Sequence, residues 1–181
     1  SMKLIAIVGM PGAGKTAAAD FFRSKHIPVL RFGDETDRGL AALGKKVTEA
    51  NERWYREHIR QELGMAAMAI KIEPRIIEAA KAHDVIVLDG LYSWEEYLYL
   101  KKKFPDLTLL CIWSPPDIRY QRLANRAVRP LGRKEAQSRD VAEIEELHKG
   151  GPIAIADHLI VNDSDQASFR ANLEQFFSAV V

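Results

Sequence analysis

The sequence predicts an open α/β fold, a mostly parallel five-stranded sheet with helices packed on both faces. Two observations predict it. Five short apolar, β-branched runs alternate with stretches of helical period along the 181 residues. The first run, Lys3–Val8, leads into Gly9-Met10-Pro11-Gly12-Ala13-Gly14-Lys15-Thr16, which passes into helix-forming residues 17–23. That is the strand, glycine-rich turn and helix start with which such sheets cradle phosphate. The length suits one domain, residues 2–181, with a sizeable core, and no repeat, low-complexity segment or Pro/Ser-rich linker divides it.

Taken in order, residues 27–32 read as a second strand, broken at Gly33-Asp34. Beyond residues 38–43, Val47, Ala50, Trp54, Tyr55, Ile59 and Leu63 recur at helical spacing, and an aromatic on such a stripe is expected in the core, so Trp54 is placed there. A further helix is expected from about residue 65 to 82, kinked or divided at Pro74. Residues 84–88 suit a fully buried parallel strand, ending at Asp89-Gly90-Leu91-Tyr92. Ser93 and Glu96 have capping-box spacing and open a helix to about residue 104. Residues 106–113 form the fourth strand, and Ser114-Pro115 start another helix with proline at its tolerated first position. Arginine is dense from Arg122 through Arg126, Arg129 and Arg133 to Arg139, where Pro130 and Gly132 interrupt any helix. Val141, Ile144 and Leu147 mark an amphipathic helix closed by Gly150-Gly151. Residues 157–162 give the fifth strand, with Asp163 or Ser164 capping the last helix.

Composition narrows the function classes. Twenty-six basic residues against 25 acidic ones leave a net charge of +1, so there is no overall field for nucleic acid or for a membrane surface. The one cysteine, Cys111, excludes an internal disulfide and sits in an apolar run, as a core residue would in a reducing, cytoplasmic compartment. No apolar run reaches the ~18 residues of a membrane span, and no secretory leader is visible. Ser1, ahead of Met2, is expected to be an expression remnant. The five histidines, at 26, 58, 83, 148 and 158, lack ligand spacing and read as surface or packing residues. Residues 162–165 lack the glycine and glutamate of a calcium loop and read better as a helix cap.

The glycine-rich loop carries the chemistry. Its glycines let the backbone curl so that successive N–H groups face an anion. Lys15 can reach β- and γ-phosphates, and the Thr16 hydroxyl suits a Mg²⁺ bound to them. Ligands in open α/β sheets bind beyond the carboxyl ends of the strands. That rule gathers residues 9–16, Gly33-Asp34, Asp89-Gly90 and the segment after Asn162 around one crevice. Asp89, ending a buried strand, can hold a metal-bound water or orient an acceptor; the plainer alternative is a turn-former bonding nearby amides. The arginine-rich segment suits a lid whose guanidinium forks neutralise phosphate, the plainer alternative being a solvated basic surface.

With these segments assembled, the chain resembles the nucleoside monophosphate kinase group of P-loop kinases, most closely adenylate-kinase-related and dephospho-CoA-kinase-like proteins. The resemblance runs from Ile5 to about Phe176. Gly33-Asp34 with Arg38 is similar to a G-D-x-x-R segment, one residue longer here. Asp89-Gly90 resembles the start of D-G-F-P-R, with Tyr92 and Ser93 where proline and arginine would stand. Arg122 and Arg126 match an R-x-x-x-R pair, although Ala127 stands where dephospho-CoA kinases usually have aspartate. Residues 156–162 resemble A-D-x-x-I-x-N.

The resemblance implies a three-layer αβα P-loop fold with strand order 2-3-1-4-5, a helical acceptor-binding region at about 35–82 and a lid at about 127–138. It implies ATP held by Gly9, Pro11, Gly12, Ala13, Gly14, Lys15, Thr16, Arg122 (packed on adenine) and Asn162, with Mg²⁺ at Thr16 and Asp89. Lys15, Asp89 and Arg126 would be catalytic. Asp34, Arg38, Tyr92, Arg129, Arg133 and Arg139 would meet a small nucleotide-like acceptor, with neither nucleic acid nor membrane as partner. The expected activity is ATP-dependent phosphoryl transfer to a nucleotide or coenzyme precursor, either a monophosphate or a ribose hydroxyl of the dephospho-CoA type. The alternative is an ATP-hydrolysing switch or assembly factor. A GTP-binding regulator is disfavoured because no N-K-x-D guanine motif occurs.

Overall fold

Strand β1 (Lys3–Val8) lies at the centre of the sheet, and five of its six residues are buried, as a parallel strand covered on both faces requires. The computed structural model describes residues 2–181; Ser1 lies outside them. β1 pairs in parallel with β3 (Val85–Asp89) on one side and β4 (Thr108–Trp113) on the other. β2 (Val29–Arg31) adds beside β3, and β5 (His158–Val161) beside β4. The order β2-β3-β1-β4-β5 and the all-parallel pairing are those expected.

Alternate residues of β1 face opposite layers. Leu4, Ala6 and Val8 pack with α2 (Phe32–Ala42), α3 (Glu49–Leu63), α4 (Ala67–Ala80) and α5 (Trp94–Lys103). Ile5 and Ile7 pack with α1 (Lys15–Ser24) and α9 (Gln166–Val180), through Phe21, Phe22, Phe169, Leu173 and Phe176. Between β4 and β5 come α6 (Pro116–Asn125), α7 (Arg133–Glu145) and the short α8 (Gly150–Ala154). Cys111 is buried in the first of these cores, and its thiol is pushed up to about 11, mainly by burial. No helix among the described residues is long and apolar enough to cross a membrane.

Several boundaries differ from the sequence reading, each for a physical reason. The second strand is shorter, because buried Phe32 already belongs to α2, edge-on to Tyr92 at 5.9 Å. Asp34 and Glu35 then fall in the first turn of α2, where its dipole favours acids, and Gly33-Asp34 is no break. Trp54 is 40% exposed instead of in the core: Tyr55 and Ile59 define the buried face of α3, and Trp54 stacks on His58 at 5.0 Å with Lys45 over its ring. α4 runs unbroken through Pro74. In α6 it is Pro116, not Pro115, that takes the first helical position. Val141 and Ile144 are each 51% exposed, while α7 buries Ala136, Asp140 and Glu143, because the core side of this helix is filled by ion pairs. Gly150 and Gly151 do not close α7 but build α8, where a Cβ on Gly151 would stand 2.5 Å from the Trp94 ring. The final helix is capped by Asp165, which accepts from Ser168 N at 2.7 Å.

The Ser93 cap is as expected: its hydroxyl accepts from Glu96 N at 3.1 Å, while Glu96 accepts from Tyr92 N at 3.0 Å. Glu96 is fully buried, and burial, opposed first by Arg60, raises its carboxyl from 4.5 to about 7. A raised carboxyl pKa stabilises the fold below the unfolded value and loses that contribution as pH climbs through the folded one. Each tenfold change in proton affinity is worth ~1.4 kcal/mol, so stability should fall by about 3 kcal/mol between pH 4.5 and pH 8. Urea denaturation across this range should show the slope in the wild type and its flattening in Glu96→Gln.

Candidate functional site

The phosphate loop is shaped from outside. Arg119 Nη1 donates to Pro11 O at 3.1 Å, Arg122 Nη1 to Gly12 O at 3.1 Å, and Asn162 Nδ2 to Ala13 O at 2.9 Å. Because each peptide is planar and its N–H opposes its C=O, drawing these carbonyls outward turns the intervening N–H groups toward the concave side. Gly12 and Gly14 have φ of 82° and 108°, in the left-handed region that favours glycine. A Cβ on Gly9 would meet Ile112 O at 2.5 Å, and one on Gly14 would collide with Asn162 Nδ2. The loop therefore fits an anion in its hollow and side-chain-free backbone on its rim.

Among the described residues Lys15 has no acidic contact partner. Its Nζ folds back to Gly9 O at 2.7 Å and Met10 O at 3.2 Å. Burial, followed by the nearby Lys149 charge, lowers it to about 7, against the opposing pull of Glu143 and Asp89. Asp89 ends β3 in register with Ile7 and Arg31. Burial raises its carboxyl above the ordinary range, and Lys15 then Arg31 pull it down. Thr16 and Asp89 are the residues here that could hold a divalent cation brought by a triphosphate. Bound Mg·ATP would supply the transferable phosphoryl group and neutralise its oxygens.

A cavity of about 1050 Å³ opens beside the loop, lined by Thr16, Tyr92, Arg126, Arg129 and Arg139 among the expected residues. Other expected residues lie elsewhere. Asp34 pairs with Arg31 at 3.3 Å, Arg38 is exposed outside the cavity, and Arg133 bonds Asp117 at 2.7 Å. The extra residue before Arg38 turns it to the outer face of α2. Arg129, at φ 50°, reaches Glu52 of α3 at 3.4 Å, and Arg126 Nε donates to Arg129 O at 2.7 Å.

The sequence reading missed several participants. Arg119 is buried and forms a bidentate pair with Asp140 at 2.9 Å, and Tyr120 adds its hydroxyl at 2.7 Å. Lys149 is buried against Glu143 at 2.6 Å. Arg31, Arg53, Arg56 and Arg60 line the cavity. Arg119 stands three residues before Arg122, and Arg53, Arg56 and Arg60 are spaced three and four apart, so helical spacing was the signal that could have found them.

Comparison with known proteins places this geometry. A family model described as AAA domain matches residues 5–146. A UPF0200 protein of Pyrococcus abyssi is 34% identical over 175 residues, covering 94% of this chain and 93% of that one. The chain belongs to the UPF0200 family, with an AAA domain. A UPF0200 protein of Sulfurisphaera tokodaii is 32% identical, covering 99% and 98% of the two chains. Among solved structures, TT1252 from Thermus thermophilus superposes with a TM-score of 0.69 at 18% identity, covering 99% and 98% of the two chains. A shikimate kinase from Bacteroides thetaiotaomicron gives 0.64 at 15% identity, covering 99% of each. The UPF0200 chain thus has the P-loop kinase fold.

Two outcomes are expected from this geometry. Asp140→Ala leaves Arg119 buried without its partner, which should cost about 3–5 kcal/mol in denaturant titration. Because the same arginine holds Pro11 O, nucleotide affinity should fall as well. Lys15, lowered to about 7 in the free protein, should regain its proton beside a triphosphate. Calorimetry at pH 7.5 in buffers of different ionisation enthalpy should therefore record proton uptake on ATP binding, absent in Lys15→Met.

Proposed function

We propose that this UPF0200 protein is an ATP- and Mg²⁺-dependent small-molecule kinase that moves the γ-phosphoryl group to a nucleotide or coenzyme precursor. One observation supports the reading: Thr16, at the end of the phosphate loop, borders a cavity of about 1050 Å³ walled by arginines from α3 and from the segment between α6 and α7. A nucleotide switch needs the loop; it has no need of a roomy cationic chamber next to it. Phosphoryl transfer needs both, since its catalysis is mostly positioning and charge neutralisation. Solved neighbours that are shikimate kinases agree with a small acceptor. In this reading Arg122 and Asn162 shape the nucleotide side, Asp89 orients the acceptor, and Arg126 and Arg139 meet the transferring oxygens. The lone buried cysteine suits work in a reducing cytoplasm.

The test is label transfer from [γ-³²P]ATP with Mg²⁺ across AMP, CMP, dTMP and dephospho-CoA. Labelled product is expected with at least one acceptor, and Lys15→Ala should abolish it. Arg126→Ala should lower kcat by ~10³-fold with a smaller change in the KM for ATP. ADP release without label in any acceptor would replace the kinase with an ATP-hydrolysing switch.

A further inference from the structure

Arg53, Arg56 and Arg60 stand at i, i+3 and i+7 on α3, which puts them on one helical face, and all three line the cavity. Among the described residues none of the three side chains makes a hydrogen bond within 3.5 Å or an ion pair within 4.0 Å. Three neighbouring cations are engaged, Arg31 with Asp34, Arg126 with Arg129 O, and Arg129 with Glu52, while Arg139 lines the cavity from α7. Arg56 and Arg60 are half-buried, and Arg53 stands at the rim. Arg60 Nε is buried with no partner. Glu96 is the carboxylate facing Arg60, but its own Oε2 is equally unpartnered. Neighbouring guanidinium groups with no counter-charge repel one another, and burial makes this worse. Tyr92 adds a hydroxyl on the same side: a Cβ on Gly33 would lie 3.6 Å from it and 2.9 Å from Arg31 Nη2. Glycine at position 33 therefore leaves the floor between Arg31 and Tyr92 open.

We infer that this face of α3 is the subsite for a phosphate ester on the acceptor, a group separate from the one that receives the phosphoryl. The inference rests on the kinase reading above and narrows it to phosphorylated acceptors. Guanidinium forks match the paired oxygens of a phosphate and keep their charge at all working pH values. Arg56 and Arg60 supply two forks, and Arg53 a third from the rim. The cavity reaches from this face to Thr16 of the phosphate loop, so a single acceptor can occupy both ends. Five carboxylates line the same cavity: Glu49 and Glu52 face Arg129, Glu143 is paired with Lys149, and among the described residues Asp37 and Glu135 form no ion pair with the row.

The experiment loads the full chain with a non-hydrolysable ATP analogue and Mg²⁺, so that the loop is filled, and titrates inorganic phosphate by calorimetry and thermal melting. The wild type should bind phosphate and melt higher with it. Arg56→Gln and Arg60→Gln should each weaken that binding by about tenfold or more, while Arg60→Lys keeps part of it. Without phosphate Arg56→Gln should melt no lower than the wild type, since its side chain makes no bond to lose, whereas Arg60→Gln also removes the charge that faces Glu96, and its phosphate affinity is read against its own melting point. No phosphate binding by the loaded wild type would overturn the inference, as would undiminished binding in both glutamine variants. Loss of label transfer to every acceptor, with arginine-dependent phosphate binding intact, would sink the kinase reading and leave the subsite standing.

Discussion

The carbonyls of Pro11, Gly12 and Ala13 are held away from the hollow of the loop by Arg119, Arg122 and Asn162, and the rest of the site depends on that outward pull. Without it the glycine-rich segment could point carbonyls at an anion. The pull comes from two elements: Arg119 and Arg122 from α6, Asn162 from the exit of β5. Ser114, at the end of β4, locks two of these residues together, donating to Asn162 O at 2.5 Å and accepting from Arg122 at 2.9 Å. The sheet order makes this possible, because β4 and β5 follow β1 side by side.

The same arrangement ties the loop to α7 through charge. Arg119, which grips the loop, is itself gripped by Asp140 of α7, and Glu143 on the same helix holds Lys149 beside Lys15. α7 therefore packs with a charged inner face, joined to the surroundings of the phosphate loop by two buried ion pairs. Arg129 links the other side of the lid segment to α3 at Glu52. The cavity thus draws its arginines from α3 and from the segment between α6 and α7, beside Thr16 of the loop.

Much of the architecture was legible in the chain. The short apolar, β-branched runs marked all five strands: β1, β3 and β4 are buried on both faces and so apolar nearly throughout, while the edge strands β2 and β5 are much more exposed. The phosphate loop was legible because its backbone conformation demands glycine at fixed spacing, and Ser93 because a cap needs its own side-chain acceptor. Of the segments gathered by proximity to strand ends, Thr16 and Gly33 line the cavity, while Asp34, Asp89, Gly90 and the residues after Asn162 do not; Arg126, Arg129 and Arg139 reach it from the arginine-rich segment.

What the sequence by itself determined is therefore local: where strands run, where the backbone curls around an anion, and which residues cap helices. Only the tertiary structure decided which way the charged side chains turn. Arg38 and Arg56 are arginines on the neighbouring helices α2 and α3, yet Arg38 is exposed outside the cavity and Arg56 lines it. Helical period ranks residues by face but does not say which face meets the cavity; the packing of α2, α3 and α4 on the sheet settles that. Val141 and Ile144 show the same limit, because apolar spacing assumes an apolar core, and Asp140 and Glu143 are buried by pairing with Arg119 and Lys149. A buried ion pair joins residues far apart in the chain, and a periodic pattern read along one helix carries no record of its partner.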